Sequence, residues 1–250
     1  MPDIIVERKG AVSVLTIDRP RRRNAIGVQL VEDLTQEFAR LDRDADTHAI
    51  VLTGAAPGFC AGSDLKELAN TDLAGMCAHE AHTAALARSI AFLDTPVVAA
   101  VDGFALGGGF VLAISCDVVV TGAEARWHLP EVTIGWIPPW GLQAVVARVG
   151  PVAARRLTWG VAPFDGREAH RLGIADTLVA SGESVLDAAL REAEALAALP
   201  PPAVASTKQF YAPLVAGTAE ASDAWANRLF AGDCGHPVAQ ATLRRFGVKA

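Results

Sequence analysis

Asp102-Gly103-Phe104-Ala105-Leu106-Gly107-Gly108-Gly109 follows the apolar run Val97 to Val101 and precedes Phe110 to Ile114. The run reads as a buried strand, and Gly107 to Ile114 as a helix that begins at its glycines. A strand that turns into such a helix leaves backbone N–H groups unpaired at the positive end of the helix dipole. That setting suits a carbonyl oxygen acquiring negative charge. The same turn would also serve close packing alone, and its glycines do not follow the GxGxxG order of a dinucleotide site. A second segment of this kind lies upstream. Gly58-Phe59-Cys60-Ala61-Gly62-Ser63-Asp64-Leu65-Lys66 follows the strand Ala49 to Thr53 as a small-residue turn, with Asp64 placed to cap the next helix.

Around these segments strands alternate with helices. Ile4 to Arg8 and Val12 to Ile17 read as two short strands, and Asp117 to Thr121 as another. Leu30, Val31, Leu34, Phe38 and Leu41 give Val28 to Leu41 the period of an amphipathic helix. Helices are also predicted over about Thr71 to Leu93 and Leu142 to Val149. The alternation points to an α/β core with a buried, partly parallel sheet. From Val185 onward the chain is alanine-rich and helical throughout, so residues 1–184 are expected to form the core and 185–250 a helical appendage.

The 250 residues suffice to bury a core without disulfides or metals, and a net charge of −6 argues against broad nucleic-acid binding. No apolar run reaches membrane-spanning length, and Met1 to Gly10 lacks a signal-peptide apolar core, so a cytoplasmic, non-membrane protein is expected. Cys60, Cys77, Cys116 and Cys234 show no CxxC spacing and read as reduced, buried thiols. His79-Glu80-Ala81-His82 is not a zinc motif and reads as a solvated helix face; no metal site is expected. There is no GxSxG elbow and no phosphate-binding Walker loop.

Taken together, these segments resemble the crotonase (enoyl-CoA hydratase/isomerase) superfamily. Asp18-Arg19-Pro20 with Asn24-Ala25 resembles its CoA-contacting loop, and Gly58 to Asp64 and Gly103 to Gly109 its two oxyanion segments. Leu129-Pro130-Glu131, then Gly135, resembles the segment holding its catalytic glutamate. Arg167-Glu168-Ala169 with Leu172 to Asp176 resembles the stretch that follows. The resemblance implies a spiral of ββα units followed by a helical region that assembles a homotrimer or hexamer. It implies an acyl-CoA substrate and no further cofactor, coenzyme A entering as part of the substrate. The thioester carbonyl would lie between the backbone N–H groups of Ser63 and Gly108, with Glu131 as acid/base. Arg23, Ala25, Ala61, Asp64, Leu65, Leu106, Val111, Pro130, Trp136 and Trp140 would contact substrate, and the Arg19, Arg21, Arg22 and Arg23 cluster either meets the CoA phosphates or is mostly solvated loop.

Departures from the pattern narrow the expected reaction. Ser63 stands where alanine is common. Val111 stands where hydratases of the family carry a first glutamate, and Pro138-Pro139-Trp140-Gly141 replaces a glycine-rich stretch, implying a stiff apolar acyl pocket unless Trp136 and Trp140 are core or trimer-interface residues. One carboxylate suffices to move a double bond, so isomerisation of an enoyl-CoA with Glu131 acting alone is the expected reaction. The alternatives are a hydratase with a relocated second acid (His128 or a histidine on the pocket helix), thioester or carbon–carbon bond hydrolysis, and a catalytically silent acyl-CoA-binding homologue.

Overall fold

The computed structural model describes residues 3–247. Strands β1 (Ile4–Lys9) and β2 (Val12–Ile17) form a hairpin, and helix α1 (Val28–Asp42) returns the chain to β3 (Ala49–Gly54). Helices α2 (Leu65–Leu68) and α3 (Leu73–Ile90) lead to β4 (Val97–Val101), β5 (Phe104–Leu106) and α4 (Gly108–Ile114). The unit recurs as β6 (Val118–Gly122), β7 (Arg126–His128) and α5 (Glu131–Ile134), followed by α6 (Leu142–Thr158), α7 (Gly166–Arg171) and β8 (Thr177–Val179). Four helices follow: α8 (Val185–Ala197), α9 (Pro201–Ala216), α10 (Ala219–Asp233) and α11 (Pro237–Phe246).

The main sheet runs β1-β2-β3-β4-β6-β8, antiparallel at the first pair and parallel from β2 onward. Every residue of β4 is buried, the pattern of a parallel strand covered on both faces. A second ladder pairs β5 with β7 in parallel and is extended by a parallel bridge from Cys60 to Ala105 and an antiparallel bridge from Trp127 to Phe164. Each turn of the chain thus adds one strand to the main sheet and one rung to the second ladder, which is the expected ββα spiral. This coil brings residues 60, 105 and 127 into neighbouring rungs although they are far apart in sequence.

Helix α1 buries the five apolar residues expected of it. Helix α6 runs past its expected end to Thr158, with a break at Gly150 (φ +76°) just before Pro151, which starts its second segment. The expected division between residues 184 and 185 falls at the start of α8. That helix lies on the sheet, and its Val185, Ala189, Leu190 and Ala193 share a buried cluster with Val14, Val51, Val98 and Val120. Residues 1–2 and 248–250 of the two expected regions lie outside the described residues. Helix α10 packs on α3, where Arg88 pairs with Asp223 at 2.5 Å, and its Phe230 shares a buried cluster with Leu68, Met76 and Trp136. Cys60, Cys116 and Cys234 are buried, Cys77 is half-buried, and all four are free thiols.

Candidate active site

The two small-residue segments meet side by side. Cys60 N–H donates to the Phe104 carbonyl at 3.2 Å, and Leu106 N–H donates to the Cys60 carbonyl at 3.0 Å. Ile26 extends this rung: its N–H donates to Gly62, and its carbonyl accepts from Asp64. The contact is close enough that a Cβ on Gly62 would stand 2.9 Å from the Gly108 nitrogen. One on Gly108 would stand 3.6 Å from the Ser63 nitrogen. The amides of Ser63 and Gly108 are therefore neighbours, and neither donates to a protein acceptor among the described residues. For Gly108 the reason is positional, because it is the first residue of α4 and has no carbonyl four residues back in register.

Glu131 opens α5, a single turn stopped by Gly135 at φ +113°. The side chain is 8% exposed and its Oε2 has no hydrogen-bond partner. Its Oε1 lies 2.7 Å from where a Cβ on Gly107 would stand, and Gly107 has φ +54°, so glycine is required there both by backbone and by space. Burial pushes the Glu131 carboxyl up to about 8, and the nearby Glu80 acts in the same direction.

Glu80 is the residue that the sequence reading passed over. The stretch His79-Glu80-Ala81-His82, expected to be a solvated helix face, is not one: His79 and Glu80 are buried and only Ala81 and His82 are exposed. Helix α3 is held between α1 and α10, so its covered face is wider than a surface helix needs. Met76, Glu80, Ala84 and Ala87 all lie on that covered face at helical spacing. Glu80 is 2% exposed, and its Oε2 accepts a hydrogen bond from the Trp140 indole N–H at 2.7 Å. Burial pushes its carboxyl up to about 7, opposed by the Ser63 hydroxyl and the Trp140 N–H.

Both carboxyls line one narrow cavity of about 60 Å³, together with Ser63, Gly108 and Val111. Of the other expected contact residues, Ala61, Leu65, Pro130, Trp136 and Trp140 line it as well. Pro138, Pro139 and Phe230 are also part of the wall, and Trp136 meets Phe230 edge-on at 5.8 Å. Arg23, Ala25, Asp64 and Leu106 do not line it. The cavity thus holds a second carboxyl, Glu80, beside the Glu131 that was expected to act alone. The signal for Glu80 was its place on the apolar face of α3, which the alanine content of that helix obscured.

A model of the family described as enoyl-CoA hydratase/isomerase matches residues 7–234. The chain belongs to the enoyl-CoA hydratase/isomerase family. It is 36% identical to the 2,3-dehydroadipyl-CoA hydratase of Escherichia coli, over 84% of this chain and 81% of that protein. It is 32% identical to the short-chain-enoyl-CoA hydratase of Clostridium acetobutylicum, over 83% of this chain and 80% of the relative. The crystal structure of an enoyl-CoA hydratase/isomerase from Mycobacterium paratuberculosis superposes with a TM-score of 0.88 at 25% identity, covering 98% of this chain and 99% of that one. Membership makes the chain an acyl-CoA-processing enzyme with the crotonase fold.

Within this family member the arginine-rich loop is largely occupied by its own chain. Arg19 is 11% exposed, pairs with Asp3 at 3.0 Å and Glu67 at 3.3 Å, and donates to the Ala25 carbonyl. Arg22 pairs with Asp64 at 3.2 Å. Asp64 caps α2 as expected, accepting from the Lys66 N–H at 3.1 Å, and is 4% exposed. These commitments explain why Asp64 and Ala25 stand off the cavity. Arg23 lies over the Phe104 ring at 4.6 Å. Asn24 holds the loop's left-handed turn, its side-chain amide donating to the Ala55 and Gly58 carbonyls at 2.7 Å each. No described helix is long and apolar enough to cross a membrane.

Proposed function

We propose that the enzyme holds the thioester carbonyl of an acyl-CoA between the N–H groups of Ser63 and Gly108, and that Glu131 transfers the proton at C2 of the enolate so formed. The observation that carries this is two neighbouring unpaired amides opening on the same cavity as a buried carboxyl with an unpartnered oxygen. Fixed donors in a dry site favour the enolate over the neutral thioester, and removing one costs roughly 2.7–4 kcal/mol in comparable oxyanion holes. A carboxyl raised to about 8 is poised to give and take a proton near neutral pH. The chemistry calls for no cofactor beyond the coenzyme A of the substrate.

The cavity's size and its indole and proline wall favour a short acyl chain, in keeping with the short-chain-enoyl-CoA hydratase among the relatives. Double-bond migration was expected on the ground that Glu131 acts alone. With Glu80 in the cavity and relatives named as hydratases, addition of water to a short trans-2-enoyl-CoA is the reading the observations favour. Phe210, Tyr211, Leu214 and Trp225 on α9 and α10 are each more than half exposed, which supports assembly of the chain into a homotrimer or hexamer through these helices.

Glu131→Gln tests the C2 assignment. Turnover of a four-carbon enoyl-CoA should fall about 10²–10⁴-fold or more, with acyl-CoA affinity nearly unchanged, because the amide keeps shape but carries no proton. A folded variant with near wild-type kcat would place the acid/base elsewhere.

A further inference from the structure

We infer that Glu80 is a second acid/base of this enzyme, acting on the water that adds to the acyl chain in the place left by Val111. The inference rests on the reading above, in which Glu131 serves C2. Its first support is position. Glu80 is 2% exposed, lies on the covered face of α3 and lines the same cavity as Glu131, Ser63 and Gly108. Val111, whose side chain can neither orient water nor carry a proton, lines that cavity too.

The second support is the way Glu80 is held. Trp140 donates its indole N–H to Oε2 at 2.7 Å, which restrains that oxygen. The Trp140 ring in turn reaches within 3.0 Å of where a Cβ on Gly108 would stand, so the clamp abuts the oxyanion segment itself. The Ser63 hydroxyl also acts on Glu80, favouring its ionised form. Two departures from the family pattern noted in the sequence, Ser63 and Trp140, thus act on one carboxyl, and the third, Val111, lines the same cavity.

The third support is the absence of an ordinary structural reason for the charge. No arginine, lysine or histidine pairs with Glu80 among the described residues. Anchoring an indole N–H needs only a carbonyl oxygen, which glutamine supplies without a buried charge. The titratable groups that face Glu80 are Glu131 from α5, Cys77 from α3 itself, and Cys234 at the end of α10. None is a cation that would hold the carboxylate ionised as a salt bridge.

In the forward step the Glu80 carboxylate takes a proton from water as the oxygen bonds to C3. The π electrons of C2=C3 move onto the thioester as an enolate held by the two amides. The enolate re-forms its carbonyl as C2 takes the proton of the Glu131 carboxylic acid. One water is added in all, and the pair is reset by moving one proton from Glu80 to Glu131.

The test uses the full chain and three variants. Hydration of a four-carbon trans-2-enoyl-CoA is followed by loss of its conjugated absorbance. Exchange at C2 of a four-carbon saturated acyl-CoA in D₂O is followed by mass. Glu80→Gln should lower hydration kcat about 10²–10⁴-fold while C2 exchange and acyl-CoA affinity stay within about fivefold of wild type. Its pH profile should lose one of the two limbs that a coupled pair gives, and Glu80→Asp should restore part of the rate. Trp140→Phe, which keeps the carboxyl but frees it, should shift the remaining profile toward higher pH. Hydration within about threefold of wild type in Glu80→Gln would overturn the inference, as would a parallel loss of exchange and hydration in a folded protein. A wild type that exchanges C2 but adds no water would overturn it alone. A wild type that exchanges nothing would overturn the Glu131 reading beneath it.

Discussion

Glu131→Gln should stabilise the protein, and by an amount that depends on pH. The folded carboxyl is raised from its ordinary 4.5 to about 8, chiefly by burial. Below pH 4.5 it is protonated in both folded and unfolded chains and contributes no penalty. As pH rises above that value the unfolded chain ionises first, so the folded state loses stability until pH passes about 8 and the folded carboxyl ionises too. The full shift corresponds to a ceiling of about 5 kcal/mol, at 1.36 kcal/mol for each pH unit of displacement. Relaxation of the site and water entering the cavity reduce this, and about 2–4 kcal/mol between pH 5 and pH 9 is the expected range. Glutamine mimics the neutral carboxyl and escapes the penalty. Urea unfolding of wild type and Glu131→Gln at matched protein concentration, at pH 5 and at pH 9, measures the difference directly. The variant should be close to wild type at pH 5 and more stable at pH 9 by the stated range. An advantage that is absent, or equal at both pH values, would mean that Glu131 is not held as a buried, proton-carrying group.

Three further outcomes follow from the same geometry. Gly108→Pro removes one unpaired N–H at the first helical position, where proline is best tolerated, and should reduce kcat about 10²–10³-fold in a folded protein, checked by circular dichroism and steady-state kinetics. Val111→Glu, which would supply the carboxylate that hydratases of the family carry at that position, should instead destabilise the enzyme and gain no hydration, since Val111 is 1% exposed and Glu80 and Glu131 already share the cavity; denaturation and the hydration assay read both effects. Sedimentation at micromolar concentration should show a trimer or hexamer, and Leu214→Glu, at a residue 67% exposed in the isolated chain, should weaken it; a monomeric wild type would refute the proposed assembly.

Much of the fold was legible because its signals are local. The apolar run Val97 to Val101, the glycines that follow, and the helical spacing of Leu30 to Leu41 each determine an element from a short window. Asp64 as a helix cap was legible for the same reason. What was not legible depended on which face of a helix other elements cover. Glu80 sits among alanines that give α3 little amphipathic contrast, so the apolar face on which it lies is faint in its own window. Its burial follows from α10, which comes about 140 residues later and packs on α3 through Arg88 and Asp223. The partners of the arginine loop were not legible either. Arg19 and Arg22 look like free cations in sequence, yet Asp3, Asp64 and Glu67 reach them only once the chain has folded. Trp140 was read as pocket wall for its ring, whereas its N–H restrains Glu80.

The proposed chemistry passes through an enolate made between two backbone amides and Glu131, and solvent exchange at C2 of a saturated short acyl-CoA reports that enolate without requiring either water addition or double-bond migration. Wild type in D₂O should incorporate deuterium at C2 far faster than buffer alone. Glu131→Gln and Gly108→Pro should each bring the rate down by about two orders of magnitude or more while acyl-CoA still binds. Exchange that proceeds at the wild-type rate in a folded Glu131→Gln protein, or that never rises above buffer in the wild type, would contradict it.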